Sequence, residues 1–348
     1  MAYTTINKPS LYFNTVLYTG TGSSNSLTGV GFQPDWVWIK KRNAAVGHRL
    51  YDAVRGVQNT LFSNDTAAEA TGQSTTLTAF NSDGFTVISE SGVNASGDTY
   101  VAWNWLGANS TTSNTSGTIT STVSANTTAG FSVVSWTGAG AAGTVGHGLG
   151  AVPKFIITKK RNNTGNWACY HVSLGNTQYV YLNTTAASAT YSGFWNNTTP
   201  TSTLISLGTD DNVTGNGDNI IAYCFAEVKG YSKFGSYTGN GSTDGTFIYT
   251  GFKPAWTMVK RSDSSSTSGW IMYDNKRNPY NIVDLYLQAN SSNAETGNAT
   301  DNPFDFVSNG FKLRYSNTAT NASGGTYIYA AFAENPFVSS TFIPTTAR

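Results

Sequence analysis

One ordered series of short motifs occurs three times along the chain, and this constrains the fold more than any other feature. Tyr18-Thr19-Gly20 recurs as Trp136-Thr137-Gly138 and as Tyr237-Thr238-Gly239. Next comes Gly31-Phe32-Gln33-Pro34-Asp35-Trp36-Val37-Trp38-Ile39-Lys40-Lys41-Arg42, matched by Val152-Pro153-Lys154-Phe155-Ile156-Ile157-Thr158-Lys159-Lys160-Arg161 and by Gly251-Phe252-Lys253-Pro254-Ala255-Trp256-Thr257-Met258-Val259-Lys260-Arg261. Leu50-Tyr51-Asp52 then corresponds to Cys169-Tyr170-His171 and Met272-Tyr273-Asp274. Ser82-Asp83-Gly84-Phe85 returns as Ser308-Asn309-Gly310-Phe311, a step the middle copy lacks. Each copy closes on an aromatic run: Tyr100 to Trp105, Ile220 to Phe225 and Tyr327 to Phe332. Chance can produce one such match but not an ordered series.

The motifs read as strands and turns. Proline cannot donate to a ladder, so the Gly-Phe-x-Pro step is a turn with proline at the head of a strand. Side chains alternate along a strand, so Trp36, Trp38 and Lys40 share one face and Val37, Ile39 and Lys41 the other. Both faces begin apolar, which predicts a strand buried on both sides that emerges into solvent at its Lys-Arg end. The closing runs have the same character, with Trp103 and Trp105 on one face and Ala102 on the other. The only helical candidate, Leu50 to Leu61, is weakened by Gly56 and two valines and predicts a single turn at most. The sequence therefore predicts an all-β fold of three tandem β-sandwich modules, jelly-roll or lectin-like. The expected boundaries are an N-terminal arm at 1–12, modules at 13–108, 129–230 and 231–337, and a C-terminal tail at 338–348. Residues 109–128 are a polar Thr/Ser/Asn linker, or a strand added to the second module. The second and third modules abut through Val228-Lys229-Gly230 with little slack. Phe337, Phe342 and Ile343 suggest that the tail docks.

Composition narrows the functional classes. Charged residues are only 11 % of the chain and the net charge is +1, too little for the basic face of a nucleic-acid binder. The aromatic share of 13 % argues against disorder. No apolar run is long enough to span a bilayer, and the first residues lack a basic-then-apolar signal, so no membrane insertion and synthesis in a cytoplasm are expected. Cys169 and Cys224 each sit in an apolar run and read as buried thiols.

Catalytic parts are missing from the pattern. His48, His147 and His171 recur at no common position and share no metal-ligand spacing with one another or with a cysteine. Glu227 and Glu334 follow equivalent closing strands, but the first module has Gly107 nearby, and Glu69 and Glu90 read as acids of a single module. No phosphate-binding loop occurs. The segment from Asp210 to Asp218 is rich in oxygen ligands and glycine, which suits calcium and equally suits an ordinary turn. The Lys-Arg strand ends could hold an anion but read more simply as solvated. Loop aromatics Tyr191, Trp195 and Tyr280 are the better candidates for ligand contact. No catalytic, cofactor-binding or metal residue is assigned, no cofactor is expected, and no enzymatic activity is expected.

The run Tyr18-Thr19-Gly20, Gly31 to Lys40, Tyr51-Asp52-Ala53-Val54-Arg55-Gly56 and Ser82-Asp83-Gly84-Phe85 resembles a repeat of unknown function common in tailed bacteriophages, particularly marine ones, where it occurs in virion structural and tail-fibre-like proteins. The resemblance is strongest in the first module and thinnest in the second. It implies a bacteriophage virion structural protein exposed on the particle surface, either a tail fibre or appendage or a capsid decoration. The implied partners are other virion proteins, further copies of the chain as a homo-oligomer, and a host surface glycan in host adhesion. The implied location is the virion. The alternative is a carbohydrate-binding module array that recognises host surface glycan without catalysis.

Overall fold

In a computed structural model of the chain, which describes residues 3–265, 269–297, 302–339, 341 and 343–344, the repeated motifs form three main antiparallel sheets with a common strand order. In the first repeat the order is Phe13–Thr19, Thr99–Trp105, Trp36–Lys41, Arg49–Asp52. The middle repeat places Phe131–Thr137, Asn219–Ala226, Pro153–Lys160 and Ala168–His171 in the same succession. The third does so with Ser232–Thr238, Thr326–Pro336, Phe252–Arg261 and Ile271–Asp274. Register makes the equivalence residue by residue: Trp36 opposes Trp105, Phe155 opposes Phe225 and Trp256 opposes Phe332.

Smaller sheets accompany the main ones. Asn25–Leu27, Gly84–Val87 and Leu77–Asn81 form one, and Phe247–Tyr249, Gly310–Leu313 and Phe304–Val307 form its counterpart in the third repeat. The middle repeat, lacking the Gly-Phe step, has only Gly143–Gly146 paired with Leu204–Leu207 and adds the short helices Ser192–Trp195 and Asp211–Thr214. The helical candidate at Leu50 begins as strand Arg49–Asp52 and continues as a turn. Of the two readings of 109–128, the added strand is the one adopted. Thr112–Asn114 and Ser121–Asn126 extend the middle sheet beyond Phe131–Thr137.

Two repeated motifs have local causes. The Thr-Gly step ends each opening strand where the chain touches the loop before the closing strand. A Cβ on Gly20, Gly138 or Gly239 would collide with the carbonyl of Ala95, Gly215 or Ala322 respectively, so only glycine fits. Proline marks the start of register. Pro153 heads its strand, but Pro254 lies inside Phe252–Arg261, where a bulge removes the need for its missing N–H.

The main sheets are buried on both faces. One face packs on the repeat's own small sheet: Val37, Ile39, Tyr51 and Ala102 meet Leu27, Leu77, Phe85 and Val87. The other face of all three main sheets enters one shared cluster. Three sets of equivalent side chains converge there: Trp36, Phe155 and Trp256; Trp38, Ile157 and Met258; Trp105, Phe225 and Phe332. They surround a residual cavity of about 10 Å³. Rings cross between repeats, with Trp36 stacked on Tyr223 at 4.1 Å and Trp105 edge-on to Trp256 at 5.8 Å. Phe155 and Phe234 lie 6.1 Å apart across the remaining boundary. Surface area confirms the sharing. A 37.0 kDa chain built as three separate domains would expose about 18,000 Å² and a single body about 14,000 Å², by the mass scaling of folded proteins. The chain exposes 11743 Å².

The strand ends differ from expectation. Lys40, Lys159 and Lys260 do not emerge into solvent but are fully buried, because the sheets continue into contact with neighbouring repeats. At the C-terminus Phe337 packs on Tyr3 at 6.4 Å, whereas Ile343 is exposed and Phe342 lies outside the described residues.

A common core predicts a common fate. Denaturant unfolding followed by tryptophan fluorescence and by far-ultraviolet circular dichroism should give one coincident transition. Trp36→Ala should lower stability by about 3–5 kcal/mol without splitting it. Three separable transitions would contradict the shared core.

Candidate functional site: the junctions between the repeats

The groups that could carry chemistry are gathered where the repeats meet. Each ring at the head of the fourth strand donates to a backbone carbonyl of a neighbour. His48 Nε2 bonds to Gln288 O at 2.9 Å, Trp167 Nε1 to Phe62 O at 2.9 Å and Trp270 Nε1 to Tyr181 O at 2.9 Å. The first repeat thus reaches the third, the middle reaches the first, and the third reaches the middle. The contacts close into a ring. His48 Nδ1 accepts from Trp38 Nε1 at 2.8 Å, so its proton is on Nε2 and the imidazole is neutral. Burial, reinforced by Lys40, holds its pKa well below 6.5.

The three equivalent lysines also face inward. Lys159 Nζ donates to Thr66 O at 3.2 Å and Lys160 O at 2.8 Å, and Lys260 Nζ to Thr185 O at 3.1 Å and Arg261 O at 2.7 Å. Lys40 Nζ donates to Lys41 O and Ala44 O. Burial pushes each of the three amines down to about 8. Lys159 and Lys260 thus join repeats while Lys40 bonds within its own, and none of the three offers surface to an anion.

Charge is distributed unevenly around the ring. Between the first and middle repeats, Asp52 pairs with Arg55 and accepts from Tyr223 Oη at 2.8 Å. Arg55 also bonds Glu69 at 2.6 Å, and Glu69 receives Arg161 of the middle repeat at 2.8 Å. Between the third and first repeats the same set recurs. Asp274 pairs with Arg277 and accepts from Trp103 Nε1 at 3.1 Å. Arg277 reaches Glu295 at 3.1 Å, and Glu295 receives Arg42 at 2.8 Å. Between the middle and third repeats every member is replaced. His171 stands for the aspartate, Leu174 for the first arginine, Ser188 for the glutamate, Ser262 for the second arginine and Ala330 for the aromatic donor. The backbone contact survives: Ser188 N donates to Ser262 O at 2.9 Å, as Glu69 N does to Arg161 O and Glu295 N to Arg42 O at 2.7 Å. His171 Nε2 turns to Tyr329 O at 3.1 Å. The five positions change together because removing one member strands its partner's buried charge.

Other acids and thiols are placed as follows. Glu69 is not an acid of a single repeat; Glu295 is its counterpart. Glu90 pairs with Arg49 at 2.9 Å and Glu227 with Lys233 at 2.8 Å. In the loop from Asp210 to Asp218 the acids do not converge. Asp210 Oδ1 accepts from Asn212 N at 2.8 Å as a helix cap, while Asp218 binds Asn163 at 2.8 Å and Lys160 at 3.4 Å. Among the described residues no three His, Cys, Asp or Glu side chains form a metal-sized group. Cys169 and Cys224 are buried and unpaired, Cys169 in the shared cluster and Cys224 in the middle repeat's own core. Burial pushes both thiols up. Trp195, expected at a loop surface, is buried against Phe194 and Tyr170. Tyr191 and Tyr280 are exposed. The sequence signal for the ionic sets was the Asp-x-x-Arg spacing at Asp52 to Arg55 and Asp274 to Arg277, lost jointly at His171 and Leu174.

Two predictions concern these junctions. Arg55→Leu alone should cost about 3–5 kcal/mol in denaturant unfolding, since Asp52 and Glu69 remain buried. Transplanting the neutral set (Asp52→His, Arg55→Leu, Glu69→Ser, Arg161→Ser and Tyr223→Ala) should cost less than the sum of its parts. Additive losses would contradict the coupling. The second concerns acid. Burial pushes His171 down to about 4 from 6.5. As pH falls, the unfolded chain takes up this proton first. The stability His171 contributes is therefore complete above 6.5 and drains as pH falls to about 4, by about 3 kcal/mol. His171→Asn should flatten that part of the stability-against-pH curve, measured by urea unfolding.

No curated protein and no solved structure matches the chain. A family model does match, and it runs through all three repeats and all three junctions, from residue 8 to residue 336. The chain therefore belongs to the family described as a domain of unknown function, DUF7483.

Proposed function

We propose that this chain is a non-catalytic structural component of a bacteriophage particle, exposed on its surface as a tail fibre, appendage or capsid decoration, where it acts in assembly and host adhesion. It is built as three tandem β-sandwich modules closed into a ring. The observation that carries this reading is the use made of its ionisable groups. Lys159 and Lys260, the two arginine–carboxylate sets and two of the three histidines are spent on joining one repeat to the next. Such a chain invests its chemistry in rigidity. The ring supplies inside one polypeptide the three-way contact that symmetric appendages build from separate subunits. Further copies and other virion proteins then meet its outer faces, where loops of a rigid scaffold carry contact residues. The resemblance of the repeat to virion structural proteins supports the same reading. The burial of Lys40, Lys159 and Lys260 is in keeping with it, since these recurrent cations are not offered to a phosphate backbone. No helix among the described residues is long and apolar enough to cross a membrane.

Quantitative mass spectrometry of purified particles of a phage that encodes the chain is the test. The chain should be present in many copies, and electron microscopy should place it on the outside. Its absence from the particles would end the reading.

A further inference from the structure

A groove lies open where the third repeat meets the first. Its outer part is a pocket of about 440 Å³ lined by Lys253, Asn275, Lys276, Pro279, Tyr280 and Glu334. It continues inward, past Asn275, Lys276 and Glu334, into a recess of about 80 Å³ beneath Phe13, Asn14 and Thr15. The total lies within the range of small-molecule sites.

Strand order and side-chain size together explain why it is open. Phe13–Thr19 is an edge strand of the first sheet. Its equivalent in the middle repeat, Phe131–Thr137, is covered by Ser121–Asn126. There Ser124 Oγ donates to Asp35 Oδ1 at 2.7 Å, and Gly107 N to Asp35 Oδ2 at 2.8 Å, which closes the corresponding space. Asp35 is the equivalent of Ala255, so here the carboxylate is missing and the first repeat's opening strand is uncovered. Between the middle and third repeats Ser232–Thr238 is likewise an edge and Lys154 stands for Asp35, but Val172 and Phe234 stand where Asn275 and Thr15 stand here and fill that space in the shared cluster.

The lining is also unlike a packing defect. Asn275 is 7 % exposed and its side-chain oxygen has no hydrogen-bond partner; Thr15 is 4 % exposed and its hydroxyl likewise has none. Buried polar atoms without partners cost about 1–3 kcal/mol each; both lack accessible surface here, so a ligand reaches them by a turn of the Asn275 and Thr15 side chains into the recess, which recovers that cost. Asn275 replaces Ala53 and Val172 of the other repeats, both compatible with a simple wall. At the mouth, Tyr280 is 77 % exposed, the most of any large apolar or aromatic side chain among the described residues. Lys253 is 3.6 Å from Glu334, which leaves Lys276 as the cation facing solvent.

We propose that this groove is a saccharide-binding site. A sugar ring has a face of C–H groups that packs on the negative face of an aromatic ring, the part given to Tyr280. Its hydroxyls both donate and accept, so one ring can donate to the Asn275 oxygen, pair with Thr15 and accept from Lys276. An apolar ligand would leave the two buried polar atoms unsatisfied. The site deepens the adhesion part of the reading above and supplies one glycan site per chain, placed between repeats.

The full chain is applied to a glycan array of neutral and acidic bacterial surface oligosaccharides, and the affinity for hits is measured by saturation-transfer nuclear magnetic resonance. Binding is expected. Tyr280→Ala, on an exposed side chain that folding does not need, should weaken it about tenfold or more. Asn275→Ala, the residue found in the first repeat, should weaken it while leaving the unfolding midpoint unchanged or raised. Tyr249→Ala, on an exposed aromatic outside the groove, should leave binding intact. A silent array, or hits indifferent to Tyr280→Ala, overturns the site. The particle experiment is independent: a silent array with the chain present in virions removes the sugar site alone, and sugar binding with the chain absent from virions removes the virion reading alone.

Discussion

The fold depends on burying each main sheet on both faces. A four-stranded sheet with one partner layer would leave the row Trp36, Trp38, Trp103 and Trp105 in water, and aromatic side chains bury large areas each. Each repeat covers one face with its own small sheet. The second face can be covered only by the other repeats, and with three of them the covering is mutual. Neither one repeat nor two would complete the shared cluster. The exposed area, below that expected of even a single body of this mass, is the direct consequence.

The polar seam around that cluster follows from the same constraint. Strands that run into a neighbouring repeat bring their lysine and arginine ends with them, and buried cations require acceptors. Backbone carbonyls serve the lysines, and Glu69 and Glu295 serve the arginines. At the third junction the charges are replaced as a set by His171, Leu174, Ser188, Ser262 and Ala330. That replacement is expected to be tolerated energetically, since a complete buried ion set offers little net advantage over a neutral one of similar packing. What is not tolerated is an incomplete set.

With these groups engaged, open chemistry is confined to places where the ring departs from equivalence. The groove beside Tyr280 exists because one of the two junctions that lack a covering strand and a carboxylate also lacks the apolar filling that Val172 and Phe234 give the other. Repetition supplies the rigid frame, and divergence at a single junction supplies the recess.

Much of this was legible in the residues. Alternation alone placed Trp36 and Trp38 opposite Val37 and Ile39, and Trp103 and Trp105 opposite Ala102, with both faces buried, because side chains on a strand alternate whatever surrounds it. The Thr-Gly steps were readable as a repeated landmark, and residues 109–128 as either a polar linker or an added strand. What covers the second face was not readable: an apolar face states that it must be buried but not by what. Solvated ends for Lys40, Lys159 and Lys260 and an exposed Trp195 were local expectations that tertiary packing reversed. The partners of Glu69, Arg161 and Glu295 lie in other repeats or across loops, so spacing along the chain carries no record of them. The open groove, finally, arises where an edge strand brings Thr15 of one repeat opposite Asn275 of another. Strand order is a property of the assembled sheets, and only the tertiary structure decides it.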